Sequence, residues 1–354
     1  MQTRIMENRI PWIDYAKAIG IFLVIFSQNK QLYSFYGLNI SYAIYTFAIP
    51  LFFFVSGFLQ KERSFKKNLL HIIFTLLVPY ILLCILSFLI FYAAISVFEK
   101  SYVWNIKSII LGSVIGNPPG VSHYDVINPK LWFLFALFWI KLLHNLYEKI
   151  FVRSKALYIV LSFIPVVIVL ILRKQDTNIN LPFCINQAML CMPFFNLGFL
   201  LRNHIMILNK LLTFNNKKAS SVLIFIMFFL ILYLAVINGG VDSSLTIWGK
   251  YLILYYINAI IGITFILLIS ICMPTYSNGS VPKIIKSISS NTLLIFALSE
   301  PLIKLMETYI PKYNQYWHLM ITTPITFAEI ALLLCAAIII NRYAPLVGGK
   351  WRKL

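Results

Sequence analysis

The sequence predicts an all-α, polytopic membrane protein of about ten transmembrane helices with both termini in the cytoplasm. Three observations lead to this prediction: the composition, the number of long apolar segments and the distribution of basic residues. Of the 354 residues, 60% are hydrophobic and 12% are charged, whereas soluble domains carry about 25% charged residues. The composition therefore excludes a water-soluble globular protein, a disordered chain and a coiled coil.

Ten apolar segments account for most of the chain. A transmembrane helix needs about 20 mainly apolar residues. The candidate segments are residues 11–28, 40–60, 68–98, 131–148, 156–172, 181–201, 219–238, 250–272, 288–303 and 319–341. Pro79 is expected to kink the third segment, and the longest non-cytoplasmic loop is expected over residues 99–130. Because no second soluble domain is visible, we interpret residues 1–354 as a single integral membrane domain.

The basic residues predict the orientation, because Lys and Arg concentrate in loops that stay in the cytoplasm. Nineteen of the 30 Lys and Arg residues fall in the termini and even-numbered loops, and nine fall in the odd-numbered loops. This distribution also accounts for the net charge of +19, so we expect no nucleic-acid partner. The five cysteines show no CxxC spacing, and neither a disulfide framework nor a metal site is expected.

Polar side chains inside apolar segments are the first candidates for function, since they are costly in a bilayer. Asp14 and Lys17 are three positions apart on the first segment and are expected to pair. Lys17 and Gln28 are eleven positions apart, which returns to nearly the same face of a helix about 16 Å further along. In the second segment, Gly57 predicts a close helix contact, and Ser56 is suited to bond across helices.

Short motifs follow one another in order along nearly the whole chain. They are Arg9…Trp12-Ile-Asp14-Tyr-Ala-Lys17, Ile49-Pro50-Leu-Phe-Phe-Phe-Val-Ser56-Gly57, Val78-Pro79-Tyr80, Leu131-Trp132-Phe133-Leu134, Pro193-Phe-Phe-Asn-Leu-Gly198, Tyr256-Ile-Asn-Ala-Ile-Ile-Gly262 and Ser290-Asn-Thr-Leu-Leu-Ile. In this ordered set the chain resembles the membrane acyltransferase-3 family, and within it the branch of fucose 4-O-acetylase-type proteins.

The resemblance implies an integral membrane enzyme of the cell membrane with ten core helices. Such an enzyme transfers an acyl group, usually acetyl, from a cytoplasmic acyl-CoA to a sugar hydroxyl of a surface or lipid-linked glycan, without a metal. The family's first helix carries a basic residue, ten intervening positions and an essential histidine. Here those two positions hold Lys17 and Gln28. A glutamine amide has no useful basicity, so it can only orient a hydroxyl or donate to an oxyanion.

Three functional hypotheses follow. The first is an active O-acyltransferase whose base has moved to His71, Glu300 or Asp14, with Lys17 and Gln28 completing the catalytic set. Its substrate-binding candidates are Arg9, Ser56, Trp132, Lys66 and Lys67. The second is an inactive relative that binds or moves a lipid-linked glycan. The third is a small-molecule transporter that uses Lys17 and Glu329 as charges on its pathway. The expected partners are membrane lipids and a carbohydrate acceptor, and no protein partner is identified.

Overall fold

The computed structural model describes residues 9–29, 40–61, 64–98, 105–119, 121–174, 180–202, 217–275, 279–309 and 318–350. The α-helices are α1 (Pro11–Gln28), α2 (Ile40–Phe58), α3 (Phe65–Ile72), α4 (Val78–Phe98), α5 (Ile106–Ile115), α6 (Trp132–Arg153), α7 (Lys155–Lys174), α8 (Ile185–Arg202), α9 (Lys217–Asn238), α10 (Leu252–Cys272), α11 (Val281–Tyr309) and α12 (His318–Tyr343). A π-helical stretch, Ile73–Leu77, joins α3 to α4. Short 3-10 turns lie at Pro129–Leu131 and Met273–Thr275. Strands β1 (Val241–Asp242) and β2 (Ile247–Trp248) form an antiparallel hairpin.

Each of the ten apolar segments predicted from the sequence is helical. Within the described ranges, six helical stretches are long and apolar enough to cross a membrane: Ile40–Phe58, Phe65–Ala93, Ser220–Asn238, Leu252–Cys272, Val281–Lys304 and Thr322–Tyr343. Helices α1, α6, α7 and α8 fall outside this set. The chain is therefore a helical protein with the character of a multi-pass membrane protein.

Two elements differ from the sequence prediction. Residues 106–115, expected in a long loop, form α5. Asn105, directly before the helix, caps its start, because its side chain accepts a hydrogen bond from the Ser108 amide at 3.1 Å. This helix ends at Gly116 in the left-handed conformation, which glycine adopts without strain. Helix α11 begins at Val281, seven residues earlier than expected. Its first two turns contain polar and basic residues, so counting apolar positions could not detect them.

The third segment is interrupted near its middle, but not at the expected residue. The π-helical stretch at Ile73–Leu77 ends two residues before Pro79. Turns of this kind are an identified cause of bends within helices. The irregularity predicted from Pro79 is therefore placed about one turn earlier in the chain.

Helix α2 lies at the centre of the bundle and α9 at its periphery. Helix α2 packs against α1, α8, α9 and α10. Of its apolar window 72% is buried, compared with 17% for α9. Exposed side chains such as Phe225 and Tyr233 on α9 give this helix an apolar outer face suited to lipid. The polar chemistry of the protein therefore has to be sought around α2 and its neighbours.

Glycines bring the backbones of α2 and α8 into direct contact. A methyl group added to Gly57 would overlap the backbone carbonyl oxygen of Phe195, and one added to Gly198 would overlap that of Phe54. Small residues allow this kind of close approach between membrane helices. The close contact predicted at Gly57 is confirmed.

We expect Gly57→Ala to destabilise the folded protein strongly. The clashing atom is a backbone oxygen, which no side-chain rotation can move, and overpacking typically costs about 1–3 kcal/mol and sometimes more. The measurement is the melting temperature and monodisperse yield of the detergent-solubilised protein. Gly20→Ala is the matched control, because its new methyl would lie 3.0 Å from Leu51 Cδ2, the end of a flexible side chain. Equal melting temperatures for the two variants would contradict the prediction.

Three helices define the two ends of the bundle. Arg9, two residues before α1, donates to Ser290 in the first half of α11. Lys350, just after α12, contacts Asn291 on the same turn. We call this the near end. The opposite end, where Asn29 follows α1, is called the far end. Residues 9 and 350 therefore lie at the same end of the bundle.

Candidate active site

A polar network at the near end is built around Asp14. The guanidinium of Arg9 donates from Nε to Asp14 Oδ2 at 2.6 Å and from a terminal nitrogen to Oδ1 at 2.8 Å. This two-bond arrangement is the strongest that arginine makes with a carboxylate. Ser289 Oγ also donates to Asp14 Oδ1, at 2.6 Å. Both carboxylate oxygens are thus occupied, and the network ties the start of α1 to α11.

Lys17 does not form the ion pair expected with Asp14. Its Nζ instead donates to the backbone carbonyl oxygen of Ser289 at 2.5 Å. The physical reason is that Arg9, which lies just before α1, reaches both oxygens of Asp14 with its planar fork. Lys17 and Asp14 remain within electrostatic range. The predicted Asp14–Lys17 ion pair is therefore wrong, because Asp14 pairs with Arg9 and Lys17 bonds to Ser289. Both residues nevertheless belong to one polar network.

A cavity of about 200 Å³ begins beside Lys17 and lies between α1, α2, α6 and α11. Its lining on α2 and the residue that follows it runs from Ile49 to Leu59, a distance of about 15 Å at the rise of a helix. The walls are apolar except for Lys17, Ser56 and Thr292. The cavity is therefore long, narrow and mostly apolar, with a cation near one end. Such a shape suits an extended chain better than a sugar ring.

A second polar cluster lies at the far end, beyond the cavity. Lys130 Nζ lies 3.4 Å from Glu300 Oε2 and donates to Ser299 Oγ at 2.7 Å. Lys304 Nζ lies 3.5 Å from the other Glu300 oxygen. Phe133, one turn after Lys130, lines the cavity. The ion pair therefore stands next to the inner end of the cavity.

Lys130 is an unusual cation because its side chain is only 6% exposed. Burial lowers the pKa of Lys130 to about 8, although the neighbouring carboxylate of Glu300 acts to raise it. Glu329 is also within electrostatic range of this ammonium group. This buried cation thus pairs with Glu300 on α11 and lies within electrostatic range of Glu329 on α12.

Glu329 is the most deeply buried of these carboxylates, with 1% of its surface exposed. Its Oε2 accepts a hydrogen bond from Asn29 Nδ2 at 3.1 Å, and Asn29 also donates to Thr326 Oγ1 at 3.0 Å. Its Oε1 has no hydrogen-bond partner in the part of the chain that the structure describes. This oxygen therefore retains the capacity to accept a proton or a hydroxyl donor.

Gln28 belongs to the far end, as the last residue of α1 before Asn29. Its Oε1 is buried and makes no hydrogen bond to any described residue. Lys17 lies three helical turns away, about 16 Å along the axis. The polar stripe predicted on α1 thus connects two separate clusters, and its two key residues act at different ends of the bundle.

The basic candidates on α3 are placed apart from the far-end cluster. Lys66 and Lys67 are exposed, and His71 is half-buried on the same short helix. Helix α3 packs against α6. Gly349 approaches the backbone oxygen of Thr75, one turn after His71, which puts this helix at the near end. None of the three basic residues lines the cavity, and the structure does not bring them to Glu300.

The two remaining candidates have different surroundings. Ser56 lines the cavity as its only hydroxyl on α2. Trp132 is buried, and its ring packs against that of Phe53 with 6.2 Å between centroids. Trp132 does not line the cavity, so its role here is to pack α6 against α2.

Sequence reasoning missed Lys130, Asn29 and Lys350 as site residues. In the sequence, Lys130 was counted only among the nine basic residues of the odd-numbered loops. Its position directly before an apolar segment was a signal that it would be buried. Among the described residues no group of three or more His, Cys, Asp and Glu side chains comes together.

Comparison with known families gives one match. The model of the acyltransferase domain of the acyltransferase-3 type matches residues 10–342. Searches of curated proteins and of solved structures found no match. The family match includes α1, the cavity, the far-end cluster and all of the near-end network except Arg9. Because it covers nearly the whole chain, the protein belongs to the acyltransferase-3 family of membrane acyltransferases.

Proposed function

We propose that the protein is an O-acyltransferase of the cell membrane that transfers an acetyl group from acetyl-CoA to a sugar hydroxyl of a surface or lipid-linked glycan. Membership of the family supports acyl transfer. The observation that carries the proposal further is the narrow cavity, which has cations at its near end and buried carboxylates beyond its far end. The acyl-pantetheine arm of the donor can extend through such a cavity while the charged parts of both substrates stay outside it.

The near end is suited to the donor. Lys17 lines the cavity, and Arg9 belongs to the polar network that adjoins Lys17. Acyl-CoA carries phosphate groups attached to a long, flexible arm that ends in the thioester. Lys and Arg bind phosphate favourably, and the excess of basic residues predicts that this end faces the cytoplasm, where acyl-CoA is found.

The far end is suited to the acceptor and to the chemistry. In the reaction, the sugar hydroxyl oxygen forms a bond to the thioester carbonyl carbon, and the carbon–sulfur bond breaks. Glu329 takes the hydroxyl proton through its unoccupied Oε1 and passes it to the departing CoA sulfur. Lys130 has three N–H donors, of which Ser299 and Glu300 engage two. We assign to the third the stabilisation of the negative charge that develops on the carbonyl oxygen.

Glu329 is a better base here than the three residues proposed from the sequence. Both oxygens of Asp14 are occupied by Arg9 and Ser289. His71 lies on α3 at the near end. Glu300 is held by two ammonium groups, which compete for its lone pairs. Gln28 then has a supporting role, in which its unpartnered Oε1 accepts a hydrogen bond from the acceptor sugar.

The experiment that tests the function is the acetyl content of surface glycan in cells with and without the gene. Deletion should remove the acetyl group, the wild-type chain should restore it, and Glu329→Gln should not. A second complemented strain carries Gln28→His. If acetyl appears only in that strain, the wild-type chain is inactive and the proposal fails. Absence of acetyl from all strains, in glycans of every surface fraction, would favour a carrier and also overturn it.

A further inference from the structure

The segment after α12 folds back over the near end of the bundle. Turns over residues 344–350 are held by backbone hydrogen bonds, including Gly349 N to Leu346 O at 3.0 Å. A Cβ on Gly349 would lie 3.5 Å from Leu293 Cδ2 and 2.9 Å from Thr75 O. Because Leu293 lines the cavity, this segment lies beside the cavity's near end.

Lys350 is held in place at this position. Its Nζ lies 3.3 Å from Asn291 Oδ1, and the same oxygen accepts a hydrogen bond from Asn341 Nδ2 at 2.6 Å. Asn291 directly precedes Thr292 and Leu293, which line the cavity. The ammonium group of Lys350 is thus fixed next to the cavity by neutral amides rather than by a carboxylate.

The near end gathers more positive charge than it neutralises. Lys17 is within electrostatic range of Arg9, Lys350 and Asp14. Asp14 is bound to Arg9 through two hydrogen bonds, so it offsets one of the three cations. In the described part of the chain, neither Lys17 nor Lys350 makes a salt bridge. Like charges disfavour one another at short range, and a cleft lined by one sign of charge concentrates ligands of the opposite sign.

We infer that Lys350 binds a phosphate of the nucleotide portion of the acyl-CoA donor, so that the segment after α12 forms part of the donor site. This inference rests on the proposed function. The cavity holds the acyl-pantetheine arm, Lys17 lies where the arm enters, and Lys350 lies just outside. Phosphate groups attached to the arm therefore meet Lys350 when the thioester is inside the cavity.

The test uses the full-length protein in detergent and three donors: acetyl-CoA, 3′-dephospho-acetyl-CoA and S-acetylpantetheine, which lacks all phosphates. For Lys350→Gln we expect the KM for acetyl-CoA to rise about tenfold with little change in kcat, as is typical of a lost charge-assisted hydrogen bond. With S-acetylpantetheine the variant and the wild type should have the same KM. If the KM difference between the variant and the wild type disappears with the dephospho donor, Lys350 binds the 3′-phosphate. If that difference persists with the dephospho donor, Lys350 binds the diphosphate. Both results support the inference.

Lys283→Gln is the matched control, because Lys283 is an exposed lysine on α11, two turns before Asn291. It should leave the KM for all three donors unchanged. The inference is overturned if Lys350→Gln has no effect, if its effect persists with S-acetylpantetheine, or if Lys283→Gln produces the same change. Direct binding of CoA, measured by calorimetry, separates the two proposals. CoA binding that depends on Lys350 in a protein without transferase activity would sustain this inference while the proposed function fails.

Discussion

Glu329→Gln should lower the rate of acetyl transfer by at least about 100-fold, which is the lower range expected for loss of a general base. The change removes the proton-accepting oxygen but keeps the size of the side chain. The remaining amide oxygen can still accept the hydrogen bond that Asn29 donates to Glu329. We therefore expect the variant to fold with a melting temperature close to that of the wild type. The measurement is the initial rate with labelled acetyl-CoA in membrane vesicles.

Glu300→Gln is the informative comparison. Glu300 also lies beside Lys130, but it is paired with two ammonium groups. We expect this variant to keep more activity than Glu329→Gln, because it alters the surroundings of Lys130 without removing the base. If Glu300→Gln abolishes transfer and Glu329→Gln does not, the roles of the two carboxylates have to be exchanged. If neither has an effect, the far-end cluster is not where transfer occurs.

The second large effect is expected at Lys130. Lys130→Met removes the cation that donates to Ser299 and one of the two ammonium groups that pair with Glu300, the other being that of Lys304. Removing one donor to a developing oxyanion typically lowers kcat about 100- to 1,000-fold. Breaking a buried ion pair also costs about 3–5 kcal/mol of stability. A melting curve must therefore accompany the rate measurement.

Lys130→Arg separates catalysis from folding, because it keeps the positive charge. The pKa of Lys130 is lowered to about 8 by burial, so the ammonium loses its proton as the pH rises through about 8. We expect the wild-type rate to fall over that range. Arginine stays protonated throughout it, so the fall should move to higher pH in Lys130→Arg even if the absolute rate is reduced. An unchanged pH profile in this variant would contradict the role given to Lys130.

The helices of this protein could be predicted closely from sequence, because an apolar run of sufficient length has few other options in a bilayer. Helical residues were missed where polar residues, Gly or Pro interrupt the apolar pattern. The start of α11 carries Lys283 and Lys286, and residues 106–115 stand in a segment interrupted by Gly and Pro. At residues 106–115 the start of the helix is fixed by the Asn105 cap, which composition does not reveal.

The candidate site was less predictable, because spacing along one helix shows only which residues share a face. Lys17 and Gln28 do share a face of α1, yet they serve opposite ends of the cavity. Asp14 was expected to pair with its helical neighbour and instead binds Arg9, which lies outside the helix. Lys130 and Glu300 are 170 positions apart in sequence. Their contact depends on how α6 and α11 pack, which no local pattern records.

The glycine contact between α2 and α8 has a consequence for how the protein is made. Helix α2 ends at Phe58 and α8 begins at Ile185, so about 130 residues must be synthesised before the partner of α2 exists. At roughly 5–20 residues per second, this takes about 6–25 seconds. During that interval the Gly57 surface has no partner from its own chain. The insertion machinery or the lipid must cover it, which makes membrane insertion of the nascent chain the stage at which substitutions at Gly57 and Gly198 should first lower the yield.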